Sequence, residues 1–363
     1  MEAKIKILHI IESLATGGKE RRLVELVKNT KKDEPIDYII VLLSDKIDFN
    51  VVYELGIEII TIKKEKMGSF KLLLKLNSII SEYKPDIIHS WAGDASVYVS
   101  ILKIFNKFKF INGMITSAPN RVGILSKNWI FSKFSFQFSN IILGNSKAGL
   151  KSFKAPSRKS RCIYNGFDFK RLENLKDKEY VKNSLKIKTK YTICMVAAFS
   201  IFKDYRTYIK AAQIVLNNIN DVTFLCIGAG NKESFRSMIE PDNVNKILIM
   251  DRRENIEEII NVCDIGVLAT YSEGISNSVL EYMALGKPAI ASGSGGLKEI
   301  IDSGKSGYVL NEGDHIGMAN KISELISDPA KMSSFGNESR KTIERNFSIT
   351  SMVNSMISLY KEV

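Results

Sequence analysis

Short apolar runs alternate with amphipathic stretches along nearly the whole chain. The runs are rich in Ile, Val and Leu, which is typical of strands buried on both faces of a parallel sheet. Between them, apolar residues recur at helical spacing, so the pattern predicts strands and helices in regular alternation. The predicted strands cover residues 4–11, 37–43, 57–62, 86–90, 109–115 and 140–145, then 191–198, 221–228, 245–250, 264–269, 287–292 and 306–310.

The alternation is interrupted by a polar segment rich in Lys and Asn, and it restarts at residue 191. Two successive sets of similar size indicate an α/β fold with two doubly wound, Rossmann-like domains. The predicted domains are residues 1–165 and 191–346, with a linker at 166–190. Because ligands of such folds bind outside the carboxyl ends of the strands, we expect the functional site in a cleft between the domains.

Two glycine-containing turns follow predicted strands. Gly17 and Gly18 come after the first strand and open the first helix, and Gly228 ends the strand 221–228. Glycine lets the backbone pass close to a ligand, and a helix N-terminus attracts anions, so both turns are candidate binding loops. A plain strand-to-helix turn is the alternative for each, and the first does not match the G-x-G-x-x-G dinucleotide fingerprint.

The strongest candidate site lies in residues 271–288. Apolar residues at helical spacing predict a helix that Ser276 or Asn277 caps and Gly286 ends. The free N–H groups of its first turn suit a phosphate, and Glu273 and Glu281 can accept hydrogen bonds from sugar or ribose hydroxyls. The backbone N–H groups in question belong to Gly274, Ile275, Ser276 and Asn277.

The composition restricts the class of protein. The 363 residues are 45% hydrophobic and 25% charged, which is enough apolar material for two cores and excludes a disordered chain. No run approaches the roughly 18 apolar residues of a membrane-spanning helix, and the first residues do not resemble a secretory signal. The four cysteines are widely spaced, so we expect reduced core thiols and a cytoplasmic protein.

The positive charge is concentrated in one stretch. The net charge is +12, and residues 101–165 hold 12 Lys and Arg with no Asp or Glu, so this stretch carries the whole excess. We expect it to attach the protein to an anionic membrane surface, with the rings and lysines of a helix at 125–139 at the headgroup level. A solvated basic face is the alternative. Nucleic acid is not an expected partner, because no nucleic-acid module is recognisable.

The run from 264 to 310 strongly resembles the family-four retaining glycosyltransferases, which have the GT-B fold. Their second-domain signature, E-x7-E, is matched by Glu273 and Glu281. The segments ILHIIESLATGGKERRLVEL, NSKAGLKSF and IYNGFDFKRL also resemble the family, so the resemblance covers most of the chain. It implies that Gly17, Gly18 and Asn145 line the cleft from the first domain. It also implies that a terminal helix at about 347–363 returns to that domain.

The resemblance further implies how a nucleotide-sugar donor is held. Glu281 would hold the ribose hydroxyls, Glu273 would contact the donor sugar, and Lys203 would neutralise the diphosphate. The backbone of 274–277 and Gly228 would complete the donor site. The implied donor is a UDP-hexose or UDP-N-acetylhexosamine. The implied acceptor is a saccharide of a surface polysaccharide or glycan, carried on a lipid at the inner face of the plasma membrane.

Two departures from the family pattern concern the site. Ala198 stands where many members carry an arginine that partners the lysine, and Arg206, Arg252 or Arg253 are candidates to replace it. The histidine near the fifth strand is also missing, and His89, at a strand's carboxyl end, is a candidate cleft residue. Other candidates in place of that histidine are Asn112, Thr116, Asn120 and Arg121.

The sequence predicts neither a metal nor another cofactor. The three histidines are not at ligand spacing, and no D-x-D occurs, so cationic side chains and a helix N-terminus would stabilise the leaving diphosphate. Two alternatives stay open because of the departures above. One is another GT-B enzyme, such as a sugar-nucleotide epimerase, and the other is a non-catalytic subunit that binds a sugar nucleotide.

Overall fold

The structure is a computed structural model that describes residues 4–31, 34–119, 122–123, 126–293 and 295–363. It contains two compact units. The first comprises Met1–Gly166 together with Ile349–Val363, and the second comprises Phe167–Ser348.

The first unit is built on a seven-stranded parallel sheet with the order β3-β2-β1-β4-β5-β6-β7. Its strands are β1 Ile5–Ile11, β2 Ile36–Leu42, β3 Glu58–Thr61, β4 Ile87–Ser90, β5 Lys109–Ile115, β6 Ile141–Gly144 and β7 Ser160–Cys162. Its helices are α1 Gly18–Asn29, α2 Ser69–Tyr83, α3 Gly93–Leu102, α4 Lys127–Phe138, α5 Lys147–Ser152 and, from the end of the chain, α13 Ile349–Glu362. The sequence did not predict the short edge strand β7, because the three residues SRC contain no apolar run.

The apolar runs of the sequence are explained by cover on both faces of this sheet. In β1, Ile7 and Ile11 join a core cluster with α1 and α13 on one face. Leu8 and Ile10 alternate with them and join a second cluster with α2 and α3 on the other face. Because successive side chains of a strand point to opposite faces, a strand covered on both sides must be apolar at nearly every position.

The terminal helix α13 supplies much of the cover on one face. Seven large side chains of this helix are buried against the rest of the first unit. The buried phenol of Tyr360 is hydrogen-bonded to His89 Nδ1 at 2.9 Å, which ties α13 to β4. The seven are Ile349, Met352, Val353, Met356, Ile357, Leu359 and Tyr360.

A polar cluster lies under α13 within this core. His9 and His89 are fully buried on adjacent strands, with ring centroids 5.3 Å apart. Trp91 Nε1 donates a hydrogen bond to His9 Nδ1 at 3.1 Å, and the Trp91 ring stacks on His89. Burial lowers the pKa of His9 to about 3. Burial, with the charges of His9 and the buried Arg22, places the pKa of His89 well below its ordinary value. Both imidazoles are therefore neutral at pH 7.

The second unit is built on a six-stranded parallel sheet with the order β10-β9-β8-β11-β12-β13. Its strands are β8 Tyr191–Val196, β9 Val222–Ile227, β10 Ile247–Met250, β11 Ile265–Ala269, β12 Ala289–Ser292 and β13 Gly307–Leu310. Its helices are α6 Lys178–Ser184, α7 Tyr205–Leu216, α8 Glu233–Arg236, α9 Ile256–Val262, α10 Asn277–Ala284, α11 His315–Ser327 and α12 Pro329–Asn346.

The segment predicted as a linker, 166–190, differs from that prediction because it is folded into the second unit. It contains a 3-10 helix at Phe169–Leu172 and the helix α6. Phe167, Val181 and Ile187 are buried in spite of the polar composition around them. A few apolar residues at the right spacing are enough to anchor a segment that is otherwise polar and solvated.

We predict that truncation after Ser348, which removes α13, unfolds the first unit and leaves the second folded. Full burial of a large apolar side chain contributes about 1.5–3 kcal/mol, so the loss of seven is comparable to the roughly 5–15 kcal/mol that stabilises a domain. Both tryptophans, Trp91 and Trp129, lie in the first unit, so tryptophan fluorescence during urea unfolding reports on that unit. A matched pair separates packing from chain length: buried Met356→Lys should lower the fluorescence midpoint, and exposed Ser355→Lys should not. An unchanged midpoint after truncation would contradict the prediction.

We also predict that the first unit loses stability as the pH falls from 7 to 5. The unfolded chain takes up protons on histidine near pH 6.5, whereas folded His9 titrates only near pH 3. The unfolded state therefore binds more protons in this window, and the free energy of unfolding drops by up to about 1.4 kcal/mol per pH unit for each buried histidine. Fluorescence-detected urea unfolding should show this slope. His89→Gln should reduce it. His315→Gln, in the second unit, should leave it unchanged, and a flat profile in the parent would refute it.

Candidate functional site

The candidate site lies at the carboxyl edge of the second sheet, next to the central strands β8 and β11. The segment after β8 carries Lys203, and the segment after β11 carries Glu273 and leads into α10. The two segments form an antiparallel bridge between Lys203 and Thr270. Asp204 N donates to Ala269 O at 3.0 Å and Tyr271 N donates to Phe202 O at 3.0 Å, so backbone bonds set the position of Lys203.

Lys203 and Glu273 form an ion pair at this edge. The Lys203 ammonium contacts a carboxylate oxygen of Glu273 and lies 3.5 Å from Thr270 Oγ1. Both side chains are largely buried. Burial lowers the pKa of Lys203 to about 8, because desolvation disfavours the ammonium. The Glu273 carboxylate acts in the opposite direction and favours the charged form. The site thus holds a desolvated ammonium, that of Lys203, in contact with the carboxylate of Glu273. An anionic ligand could take the place of this carboxylate.

Helix α10 begins directly after this ion pair. Ser276 is its N-cap, and the Ser276 hydroxyl accepts the N–H of Val279. Gly274 and Ile275 are buried with Ser276 in the turn that precedes the helix, and Asn277 is its first residue. The residues 274–277, predicted as a backbone cradle, therefore do lie at a helix N-terminus, where N–H groups and the helix dipole favour an anion.

The helix is fixed to the sheet by hydrogen bonds to the end of β8. Ser278 Oγ donates to Val196 O at 2.6 Å, and Val196 N donates to Tyr282 Oη at 2.7 Å. A Cβ at Gly266 would lie 2.1 Å from the Tyr282 ring, so only a glycine at this position of β11 leaves room for that ring. Because α10 is held to two strands, its N-terminus has a defined position beside Lys203.

Glu281 lies one turn into α10 and is almost fully buried. Its Oε1 accepts a hydrogen bond from Arg171 Nη2 at 2.7 Å, and the same guanidinium contacts Glu257 on α9. The guanidinium also lies 4.9 Å from the centre of the Phe167 ring. A buried carboxylate costs less free energy when a guanidinium is bonded to it, so the bond to Arg171 offsets part of the cost of burying Glu281.

Arg171 is the site residue that the sequence analysis missed. It lies in the 3-10 helix Phe169–Leu172, inside the stretch predicted as a linker. The pattern of hydrophobic residues contains no signal for it, because Arg171 meets Glu257 and Glu281 only in the folded chain. The segment IYNGFDFKRL, which resembles the family, was the one available indication.

Other predicted donor-site residues lie at the same edge of the sheet but are not gathered at the ion pair. Gly228 ends β9, and a Cβ there would lie 1.8 Å from Ala197 O, so this glycine permits close approach of two backbone segments. Arg206 is exposed on the first turn of α7. Arg253 is exposed in the segment after β10, which is two strands away from β8. A donor-binding role for these three residues stays a prediction.

In the first unit, Gly17 is the N-cap of α1 and Gly18 its first residue, both just beyond the carboxyl end of β1. Asn145 follows β6, and its buried amide donates to Thr116 O at 3.3 Å. These three residues occupy the carboxyl edge, as predicted for ligand-binding positions. Whether they bind a ligand stays a prediction.

His89 differs from its predicted place in a cleft. Its side chain is fully buried, bonded to Tyr360 and stacked on Trp91, so the structure gives it a packing role. Asn112 is likewise structural, since its amide donates to Ser135 and Ser139 of the α4 region. Thr116 is partly exposed after β5, and Asn120 and Arg121 lie outside the described residues.

Within the residues that the structure describes, no group of three or more His, Cys, Asp and Glu side chains is arranged to hold a metal ion. No helix among those residues is long and apolar enough to cross a membrane.

Comparisons with known proteins agree with this geometry. Residues 190–328 match the model of the family described as Glycosyl transferases group 1. The putative glycosyltransferase EpsD of Bacillus subtilis is 30% identical over 166 residues, which are 45% of this chain and 43% of that protein. The N,N'-diacetylbacillosaminyl-diphospho-undecaprenol alpha-1,3-N-acetylgalactosaminyltransferase of Campylobacter jejuni is 28% identical over 204 residues, 54% of each chain. The chain thus spans about half the length of these curated relatives.

The whole chain resembles solved structures in its fold. Anabaena HepE in complex with UDP-glucose superposes with a TM-score of 0.84 over 99% of this chain and 100% of that one, at 19% identity. The predicted fold class is confirmed: the chain has the GT-B fold. The predicted resemblance to group 1 glycosyltransferases is also confirmed, and the family match covers most of the second unit.

We predict that the Arg171 ion cluster stabilises the second unit as well as orienting Glu281. Arg171→Met removes the guanidinium from between two buried carboxylates and should destabilise this unit by about 3–5 kcal/mol. Adding Glu257→Gln should restore part of that loss, because one of the two negative charges is then gone. Urea unfolding followed by circular dichroism reports the transitions of both units. Tryptophan fluorescence identifies the transition of the first unit, so the other transition belongs to the second. If the double variant is no more stable than Arg171→Met, the carboxylates do not repel each other as described.

Proposed function

We propose that the protein is a retaining glycosyltransferase that uses a nucleotide-sugar donor, a UDP-hexose or UDP-N-acetylhexosamine. The acceptor is a saccharide in polysaccharide or glycan biosynthesis. The observation that carries the proposal is the buried Lys203–Glu273 pair at the N-terminus of α10, with buried Glu281 one turn further on. The match of 190–328 to group 1 glycosyltransferases supports it. HepE, which has the same fold, was solved with UDP-glucose.

The proposed binding mode uses these groups in order along the donor. Glu281, oriented by Arg171, accepts hydrogen bonds from the two ribose hydroxyls. The N–H groups of 274–277 and the Lys203 ammonium face the diphosphate. Glu273, released from Lys203 when the diphosphate takes its place, accepts hydrogen bonds from the hydroxyls of the donor sugar. The Lys203–Glu273 ion pair of the unliganded protein is thereby replaced by contacts of Lys203 with the diphosphate and of Glu273 with the donor sugar.

The proposed catalysis is electrostatic and needs no metal ion. As the glycosidic bond breaks, negative charge grows on the leaving diphosphate. Lys203 and the first turn of α10 stabilise this charge more in the transition state than in the ground state. The nucleoside diphosphate leaves and the acceptor hydroxyl attacks the same face of the sugar, so the anomeric configuration is retained. The acceptor proton passes to the leaving phosphate, and no general base is assigned.

A lipid-linked acceptor at the inner face of the plasma membrane extends the proposal. The Campylobacter jejuni relative is named as acting on a sugar carried by diphospho-undecaprenol. The acid-free stretch 101–165 would bring the protein to an anionic membrane surface. Helix α4, expected to provide this contact, has its lysines engaged within the protein. Lys127 pairs with Asp94 at 3.0 Å, and Lys133 donates to the carbonyls of Phe153 and Lys154.

The test is release of nucleotide from a panel of nucleotide sugars, with and without saccharide acceptors. Glu281→Gln should weaken donor binding at least tenfold, since a charge-assisted bond is worth about 1.5–3 kcal/mol. Lys203→Ala should lower kcat more than it raises the KM for the donor, because it acts on developing charge. Because the pKa of Lys203 is about 8, kcat/KM should fall as the pH rises through 8. Lys203→Arg should move that fall to higher pH.

Lys321→Ala is the control, since it removes an ion pair with Glu324 on α11, away from this edge. It should leave nucleotide release unchanged. Full turnover by both Lys203→Ala and Glu281→Gln would mean that the donor site is placed wrongly. Donor binding without any transfer across the panel would favour the non-catalytic subunit instead.

A further inference from the structure

The first unit has a cavity at the edge of its sheet opposite to the candidate ligand positions. It measures about 1180 Å³ and lies where β1, β4 and β5 begin, next to the end of α13. Gly17, Gly18 and Asn145 follow the carboxyl ends of their strands, whereas Ile5, Ile87 and Lys109, which line the cavity, are the first residues of theirs. None of the candidate donor-site residues lines this cavity, and neither do Gly17, Gly18 and Asn145.

The cavity has a cationic lining over an apolar floor. Among the described residues that line it, six are lysines and Asp86 is the one Asp or Glu, while Lys361 is paired with Glu34, outside the lining, at 2.8 Å. Oδ2 of Asp86 already accepts the Lys6 N–H at 2.9 Å. Apolar surface comes from Ile80, Pro85 and Phe108 among others. The six lysines are Lys4, Lys84, Lys103, Lys107, Lys109 and Lys361.

Lys103 shows the effect of this unbalanced charge. Its ammonium donates to Phe108 O at 2.5 Å and lies over the Phe108 ring. Burial, together with the like charges of Lys109 and Lys159, lowers the pKa of Lys103. Ammonium groups that repel each other across a cavity gain stability when an anion enters between them.

Exposed apolar side chains lie next to the cavity. Ile104 and Phe105 are 58% and 78% exposed in the loop that carries Lys103 and Lys107. Asn106 Nδ2 donates to Asn77 Oδ1 of α2 at 2.9 Å, which joins the loop to that helix.

The loop meets the end of α2 that lies at the cavity. Ser81, in the last turn of α2, lines the cavity. The lysines, the loop and this end of α2 thus form one continuous surface, which we name the amino-edge surface.

We propose that the amino-edge surface docks on an anionic phospholipid membrane. The cavity lysines bind the phosphate of a lipid headgroup, while Ile104 and Phe105 enter the boundary of the acyl layer. Aromatic and aliphatic groups beside lysines are the pattern of an interfacial membrane contact, and each lysine near such a surface contributes about 1 kcal/mol. A soluble polyanion would account for the lysines but leave the two exposed apolar groups of the loop unexplained.

The proposal moves the membrane contact away from α4 to another part of the acid-free stretch. Its lysines 103, 107 and 109 belong to that stretch, and they add to Lys4 before β1, Lys84 after α2 and Lys361 on α13. The inference does not depend on the proposed glycosyl transfer, because it concerns the opposite edge of the sheet and needs no donor.

The test is sedimentation of the full chain with vesicles of neutral lipid and of neutral lipid mixed with phosphatidylglycerol. The double variant Lys107→Glu/Lys109→Glu should weaken binding to the anionic vesicles at least tenfold. The matched control is Lys151→Glu/Arg158→Glu, which makes the same change of charge at exposed residues of the acid-free stretch that do not line the cavity. It should weaken binding less than threefold. Phe105→Ser, at an exposed position, should weaken binding and leave its salt dependence unchanged.

Equal loss in the two double variants would overturn the proposal, because net charge alone would then explain the binding. So would unaltered sedimentation of the Lys107→Glu/Lys109→Glu and Phe105→Ser variants. The protein could instead bind glycerol phosphate or pyrophosphate saturably and not sediment with vesicles. That result would overturn the membrane contact and identify a free phosphate compound as the ligand. Tryptophan fluorescence checks that each variant is folded. Nucleotide release with a soluble acceptor should be unchanged in all of them, so this result and the test of the transferase are independent.

Discussion

Both sheets are entirely parallel, and this one constraint accounts for most of the architecture. A parallel strand in such a sheet is buried on both faces, so each sheet must be covered by helices on either side. The first unit completes one of its covers with α13, although this helix is the last element of the chain. Parallel strands also end at the same edge, so the segments that follow them collect there.

The charges of the candidate site are stable because each is bonded where it is buried. Lys203 contacts Glu273, and Arg171 joins Glu257 to Glu281. A buried charge without a partner would cost several kcal/mol, so each of these pairs lowers the cost of burying its charged groups. The proposed donor replaces one partner of such a pair by its own phosphate, which explains why a lysine and a glutamate in contact can both serve as ligand-binding groups.

The first sheet separates two kinds of chemistry by its two edges. Its carboxyl edge carries the glycine turn and Asn145, while its amino edge carries the cavity lined with lysines. The excess positive charge of residues 101–165 is therefore not spread evenly over a surface. Part of it is bonded within the first unit, since Lys127 pairs with Asp94 and Lys133 donates to two backbone carbonyls, and part of it faces the cavity.

Local sequence was sufficient for the two domains, nearly all of the strands, the helix after Glu273 and the resemblance to group 1 glycosyltransferases. These features rest on periodicity and on short motifs, which neighbouring residues determine. The sequence did not show that 166–190 is folded, that His89 is buried under Tyr360, or that Arg171 bonds Glu281. Each of these depends on residues more than 70 positions apart, such as 89 and 360 or 171 and 281. Only the packed chain brings such residues within the few ångströms over which a hydrogen bond or an ion pair acts.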